Sequence, residues 1–166
     1  MKLKTLLPVA AFCLATPLLA QAQAVVNVRN LSYAAAHEAA SVALETCRKN
    51  GYAVTVTVLD RLGRSKVVLH DDGAGPHTIE NSLRKAYTSL TFKTPSGEFG
   101  KRIAGTPNAA GILQLENVTT LEGALPILAG QDLVGAIGIS GAPGGDKDAA
   151  CAQAGIDRIA GGLTAR

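Results

Sequence analysis

The chain has 166 residues, with 16 Lys and Arg against 13 Asp and Glu, for a formal charge of +3. Two of the cations, Lys2 and Lys4, precede the first long apolar run, so removal of that segment leaves +1 (+3 less two lysines). No Lys/Arg run, no zinc-finger spacing and only Tyr33, Tyr52, Tyr87, Phe92 and Phe99 as aromatics beyond it exclude a nucleic-acid partner.

Lys2 and Lys4 lead into an apolar run from Thr5 to Ala20 that ends in Ala20-Gln21-Ala22 and Ala22-Gln23-Ala24. This is the layout of a cleavable secretory signal over residues 1–22, with Ala24 as a second cleavage point. The run is too short and poorly flanked for a membrane span, and no second long apolar run follows. Cys13 lies inside the run after Phe12, without the small-residue context of a lipidation site. The remaining stretch, residues 25–166, is the size of one domain with one core. It is expected in the periplasm or outside the cell.

From Leu31 to Asn50 the alanine-rich sequence lacks Gly and Pro, and Gly51 follows where a helix ends in a left-handed cap. Val54, Val56 and Val58 then alternate with Thr55 and Thr57, the period of a strand with unlike faces. Asp60-Arg61-Leu62-Gly63 turns the chain into a second strand, Ser65 to His70. A glycine-rich bend, HDDGAGPHT, leads from His70 into a helix that starts at His77 or Thr78. Ile79, Leu83, Ala86, Tyr87 and Leu90 are spaced along one face of that helix.

Thr94-Pro95 signals a fresh, short helix to about Ile103, with threonine as cap and proline at the first helical position. Residues 105–123 read as irregular chain with one short strand around Gly111 to Leu115. Ala124 to Leu128 and Leu133 to Ser140 are apolar runs joined by a hairpin-like bend at residues 129–132. The second run is apolar on both faces, so it is expected to be covered on both. Asp146 caps a last helix through about Ala160, closed by Gly161-Gly162. Hairpin-length connections favour an α+β domain with a central, mainly antiparallel sheet of about five strands and helices packed against it.

Cys47 and Cys151 remain beyond the signal, and they fit either a disulfide of an oxidising compartment or two buried thiols. Neither belongs to C-x-x-C-H, so any haem would be held noncovalently. His70, Asp71, Asp72, His77 and Glu80 crowd the bend and have the donor types of a mixed metal site. The same residues also make an ordinary solvated turn. The N-terminus of the following helix favours anions, and Arg84 and Lys85 add positive charge further along it, as would an ordinary exposed basic face. His37 shares a face with Ala40, Leu44 and Cys47, which suits a core or interface histidine better than a ligand.

Gly135, Gly138 and Gly141 recur every third residue inside a strand, unlike a dinucleotide turn, and read as small residues for close packing. The run 141–147, GAPGGDK, lacks the spacing and the Ser/Thr of a nucleotide loop.

The segments 53-AVTVTVLDRLGR-64, 71-DDGAGPHTIENSLRKAYTSLTFKTPS-96 and 123-GALPILAGQDLVGAIGISGAPGGDKDAACAQAG-155 together resemble the GlcG/HbpS haem-binding family, which includes the C-terminal domain of PduO-type proteins. The resemblance implies a compact α+β domain, homo-oligomers reaching octamers, and noncovalent binding of haem, an iron protoporphyrin. It also implies, for secreted members, haem or iron sensing beside a sensor kinase, and haem degradation is a proposed activity in the family. His77, in the family's glycine-rich bend, has the imidazole that commonly ligates haem iron. His70 is the second candidate, as axial ligand or as partner of a propionate. Gly75 and Pro76 leave room for the porphyrin edge, and Arg84 offers a cation. Residues 105–123 depart from the proline- and glycine-rich version expected of relatives.

The leading expectation is a haem-binding protein that scavenges, buffers or senses haem, with a possible sensor or transport partner. Haem-degrading or peroxide-reacting chemistry, and a non-haem metal-binding oligomer, are the alternatives.

Overall fold

The computed structural model describes residues 24–164; the expected signal segment lies outside them. The elements run α1 (Tyr33–Lys49), β1 (Thr55–Asp60), β2 (Ser65–His70), α2 (His77–Phe92), α3 (Ser96–Ala104), a 3-10 helix (Pro107–Gln114), β3 (Ala124–Ala129), β4 (Asp132–Ser140) and α4 (Gly145–Ile159), with a final 3-10 turn at Ala160–Gly162. The strands form one antiparallel sheet in the order β2-β1-β4-β3. The class is therefore α+β, with four strands where about five are expected. Residues around Gly111 to Leu115, the missing strand, wind into the 3-10 helix and its C-cap instead. No helix among the described residues is long and apolar enough to cross a membrane.

Helices α1 and α4 cover one face of the sheet and α2 covers the other. Alternation along β1 sends Val56 and Val58 into a core with Ala36, Ala39, Ala40, Ala43, Ile137 and Ile139. Thr55, Thr57 and Leu59 face α2. The two faces of β1 are unlike, as the alternation predicts, yet all six of its residues are buried. The polar face escapes a desolvation penalty by hydroxyl pairing: Thr55 Oγ1 lies 2.6 Å from Thr78 Oγ1, and Thr57 Oγ1 lies 2.8 Å from Ser82 Oγ.

This pairing corrects the expected facing of α2. Ala86 and Leu90 are buried as expected, but Thr78, Ser82, Lys85, Thr88 and Ser89 are buried with them, whereas Ile79 is 47% exposed and Leu83 and Tyr87 are only partly covered. Small side chains win because the helix approaches β4 closely at Gly138, where a Cβ would stand 2.3 Å from the Ser82 carbonyl oxygen and 2.6 Å from the Ala86 nitrogen. The spacing of three seen in Gly135, Gly138 and Gly141 is thus a packing device, and β4 is covered on both faces from Val134 onward.

Caps follow the sequence to within a residue or two. Ser32 Oγ accepts the Ala35 N–H at 3.2 Å, and Gly51 takes φ +80° just beyond α1. Pro95, not Thr94, is the N-cap of α3, in extended backbone, so the helix starts one residue later than expected, and Asp146 falls inside the first turn of α4 behind the Gly144 cap. His37 is exposed, which removes the core alternative and leaves that of an interface histidine, with its ring 5.8 Å from that of Tyr33. Cys47 and Cys151 are bridged, Cα to Cα 5.7 Å, and tie α1 to α4.

Candidate functional site

Antiparallel pairing brings several chain ends to one end of the sheet: the start of β1, the C-terminal ends of β2 and β4, and the residues before β3. The N-termini of α2 and α4 and the Gly51–Tyr52 turn after α1 meet them there. Between them lies a cleft of about 770 Å³, within the range of small-molecule sites. Gly73, Gly75 and His77 form one wall; Gly141, Pro143 and Gly144 form the facing one. Tyr52, Ala53 and Leu121 add apolar surface.

Each wall is fixed from behind. Arg48 on α1 grips Asp71 in a two-pronged contact of 2.9 and 2.8 Å, and Asp71 Oδ1 also accepts the Asp72 N–H. The Arg48 guanidinium holds the Asp71 carboxyl below its ordinary pKa. On the facing wall, Gly141 adopts φ +134° with its α-carbon so close to Ala53 that a Cβ would stand 2.4 Å from that carbonyl oxygen. Asn81 Nδ2 donates to Ser140 Oγ at 2.9 Å.

The floor carries a buried ion pair. Lys85 Nζ donates to Asp148 Oδ2 at 2.8 Å and to the Ile139 carbonyl at 3.0 Å, while Asp148 Oδ1 accepts the Ala142 N–H at 3.0 Å. Burial pushes the Asp148 carboxyl above its ordinary pKa, against the pull of the Lys85 ammonium. This pair locks α2, β4 and α4 together under the cleft.

His77 is exposed at the mouth, and among the described residues its ring has no hydrogen-bond partner. The ring lies back on Gly75, where a Cβ would stand 2.8 Å from Cε1 and 3.0 Å from Nδ1 but 4.0 Å from Nε2. Nδ1 is therefore the nitrogen turned toward the bend, and Nε2 is the one left open. An imidazole without a partner among the described residues, glycines permitting close approach, and apolar surface from Tyr52, Ala53, Leu121 and Pro143 beside polar groups are a set that suits a haem.

The sequence-derived candidates separate here. His77 and Gly75 line the cleft. Pro76 sits at the α2 N-cap beside them and is not a lining residue. His70 also lies outside the lining, its Nδ1 engaged with Thr55 Oγ1 at 2.6 Å. Arg84 points to the other flank of α2, donating to the Val118 carbonyl at 2.9 Å, so Lys85 is the α2 cation that reaches the cleft. No three His, Cys, Asp or Glu side chains converge among the described residues, which leaves the acidic bend without the geometry of a bare-metal site.

Lys85 and Asp148 are 63 residues apart in sequence, so no local spacing pairs them. A signal existed: Lys85 shares the i, i+4, i+7 stripe of Thr78 and Ser82.

Residues 31–157 match the family described as haem degrading protein HbpS-like. A crystal structure of a double mutant of HbpS from Streptomyces reticuli is 36% identical, with a TM-score of 0.77 over 86% of this chain and 96% of that one. A crystal structure of a PduOC–haem complex is 26% identical, with a TM-score of 0.71 over 78% of this chain and 95% of that one. Klebsiella pneumoniae protein ORFY, at 22% identity and a TM-score of 0.79 over 85% of this chain and 98% of that one, shares the fold. No curated protein matches. The extent of the family match and the 36% identity across nearly all of HbpS show that this chain belongs to the HbpS-like family.

Proposed function

We propose that this protein is an extracytoplasmic, noncovalent haem-binding protein that takes haem into the glycine-walled cleft, with His77 Nε2 as axial ligand. The observation that carries the reading is the His77 ring, seated on Gly75 by its Nδ1 edge with Nε2 open at the mouth of the cleft. Bound haem would supply an iron centre whose reactivity is set by its axial ligand and the polarity around it. The chain's own part would be to offer the apolar surface of Tyr52, Ala53, Leu121 and Pro143 to the porphyrin and to orient the imidazole. The haem complex of the PduOC relative supports haem as the ligand. Export is supported by the signal-like N-terminus and by the Cys47–Cys151 bridge, since disulfides persist in oxidising compartments. Self-association into a homo-oligomer is part of this reading, with the exposed Leu62 and Leu128, which line one surface hollow, as apolar surface a second copy would cover.

Haem titration of the purified protein is the test. A stoichiometric Soret band is expected, and His77→Ala should shift it and weaken affinity at least tenfold, whereas His37→Ala leaves it unchanged. A folded His77→Ala protein with the wild-type spectrum and affinity would remove His77 from the site. The family's description favours haem degradation as the second reading. Turnover to a bile pigment with iron release under reductant would establish it; a Soret band that persists would establish binding alone.

A further inference from the structure

A chain of short hydrogen bonds links the sheet edge to the bend. His70 Nδ1 lies 2.6 Å from Thr55 Oγ1, which lies 2.6 Å from Thr78 Oγ1, which donates to the Gly75 carbonyl oxygen at 2.6 Å. Thr55 is 0% exposed and Thr78 is 1% exposed, so both hydroxyls are sealed from solvent. Each has one proton to give. A carbonyl oxygen only accepts, so the Thr78 proton is committed to Gly75. Thr78 must then accept from Thr55, and Thr55 must accept from His70. The reverse order would leave two oxygen lone pairs facing each other at 2.6 Å in a buried site.

We infer that His70 holds its proton on Nδ1 and is the positioning residue for the His77 ring. The α2 N-cap, Pro76, makes no side-chain cap bond. Gly75 instead accepts both the Thr78 hydroxyl and, at 3.0 Å, the Thr78 N–H. Gly75 is also the seat of the His77 ring. The Gly75 carbonyl sets the direction of the chain, and the His70 Nδ1–H supplies the donor that closes its other end and holds Thr55 and Thr78 in the order that places that seat. The consequence for haem affinity rests on the proposed role of His77; the tautomer and the placement of the ring do not.

The experiment uses ligand-free, 15N- and 13C-labelled protein at a pH well above the ordinary imidazole pKa. Two-bond 1H–15N correlations are expected to show His70 with a protonated Nδ1 and a bare Nε2; the opposite tautomer overturns the inference. His70→Ala and Thr55→Val should each move the ring signals of His77, and His70→Asn, whose amide N–H stands near the lost Nδ1–H, should return them toward wild type. His77 signals unmoved by both breaks, or unrestored by asparagine, also overturn it. In haem titrations His70→Ala should weaken affinity roughly three- to tenfold with the Soret position unchanged. A Soret shift like that of His77→Ala would make His70 a ligand and refute the positioning role. Failure of haem to bind at His77 would end the haem reading while leaving the ligand-free spectra to decide this one.

Discussion

Replacing Lys85 by Met tests the structural logic of the cleft floor. Asp148 is 2% exposed and Lys85 4%, so removing the ammonium leaves a carboxylate in a site that water barely reaches. If the carboxylate stays ionised, the loss is that of a broken buried pair, about 3–5 kcal/mol. If it takes up a proton instead, moving from an ordinary pKa to protonated at pH 7 costs about 4 kcal/mol, at 1.36 kcal/mol per unit. Both routes predict destabilisation near 4 kcal/mol at neutral pH. The second route weakens with acid, since at pH 5 the same protonation costs only about 1.5 kcal/mol.

The sign follows from linkage. A carboxyl whose folded pKa is raised, as burial already does to Asp148, binds more protons folded than unfolded. Its contribution is fully present below the unfolded value and lost as pH rises through the folded one. The deficit of Lys85→Met relative to wild type should thus shrink by about 2–3 kcal/mol between pH 7 and pH 5. Urea unfolding at the two pH values reads this, and Lys85→Met/Asp148→Leu should recover most of the loss. A neutral-pH deficit under about 1 kcal/mol would refute the account of a dry, mutually dependent pair, and a larger deficit that does not change with pH would refute protonation of Asp148 as its cause.

Three further outcomes are expected. Reducing or removing the Cys47–Cys151 bridge opens a loop spanning 104 residues and should lower stability by roughly 4–5 kcal/mol on the chain-entropy argument, read by denaturation with nonreducing mass analysis as control. Gly138→Ala drives a Cβ into the α2 backbone at Ser82 and Ala86, atoms that cannot swing aside, and should cost about 1–3 kcal/mol in urea unfolding. Asp71, with its pKa lowered by Arg48, contributes stability that is present above the ordinary carboxyl range and lost as pH falls through the lowered folded value. Arg48→Ala should therefore lower stability at neutral pH, and the loss should vanish in an acid titration of stability.

Local periodicity and punctuation determined the elements outside residues 105–123, where the expected short strand is a 3-10 helix. The Val/Thr alternation of β1, the turn at Asp60–Gly63, the cap at Gly51 and the bend before His77 are each properties of a few adjacent residues, and backbone sterics and hydrogen bonding settle them without distant partners. The motif segments likewise carried the family, because they are contiguous. Tertiary structure alone decided what a helix face meets. Ile79 looked like core and is exposed, while Lys85, which fitted an exposed basic face, is buried together with Thr78 and Ser82. Their burial depends on hydroxyls of β1, the close approach at Gly138 and a carboxylate on α4, all remote in sequence. The same holds for the cleft: the fragments GAGPHT and GAPGG are each unremarkable as turns, and only the antiparallel return of β4 beside β1 sets them face to face. A buried polar group is stable only where its partner stands, and sequence spacing does not say where a partner from another element will stand.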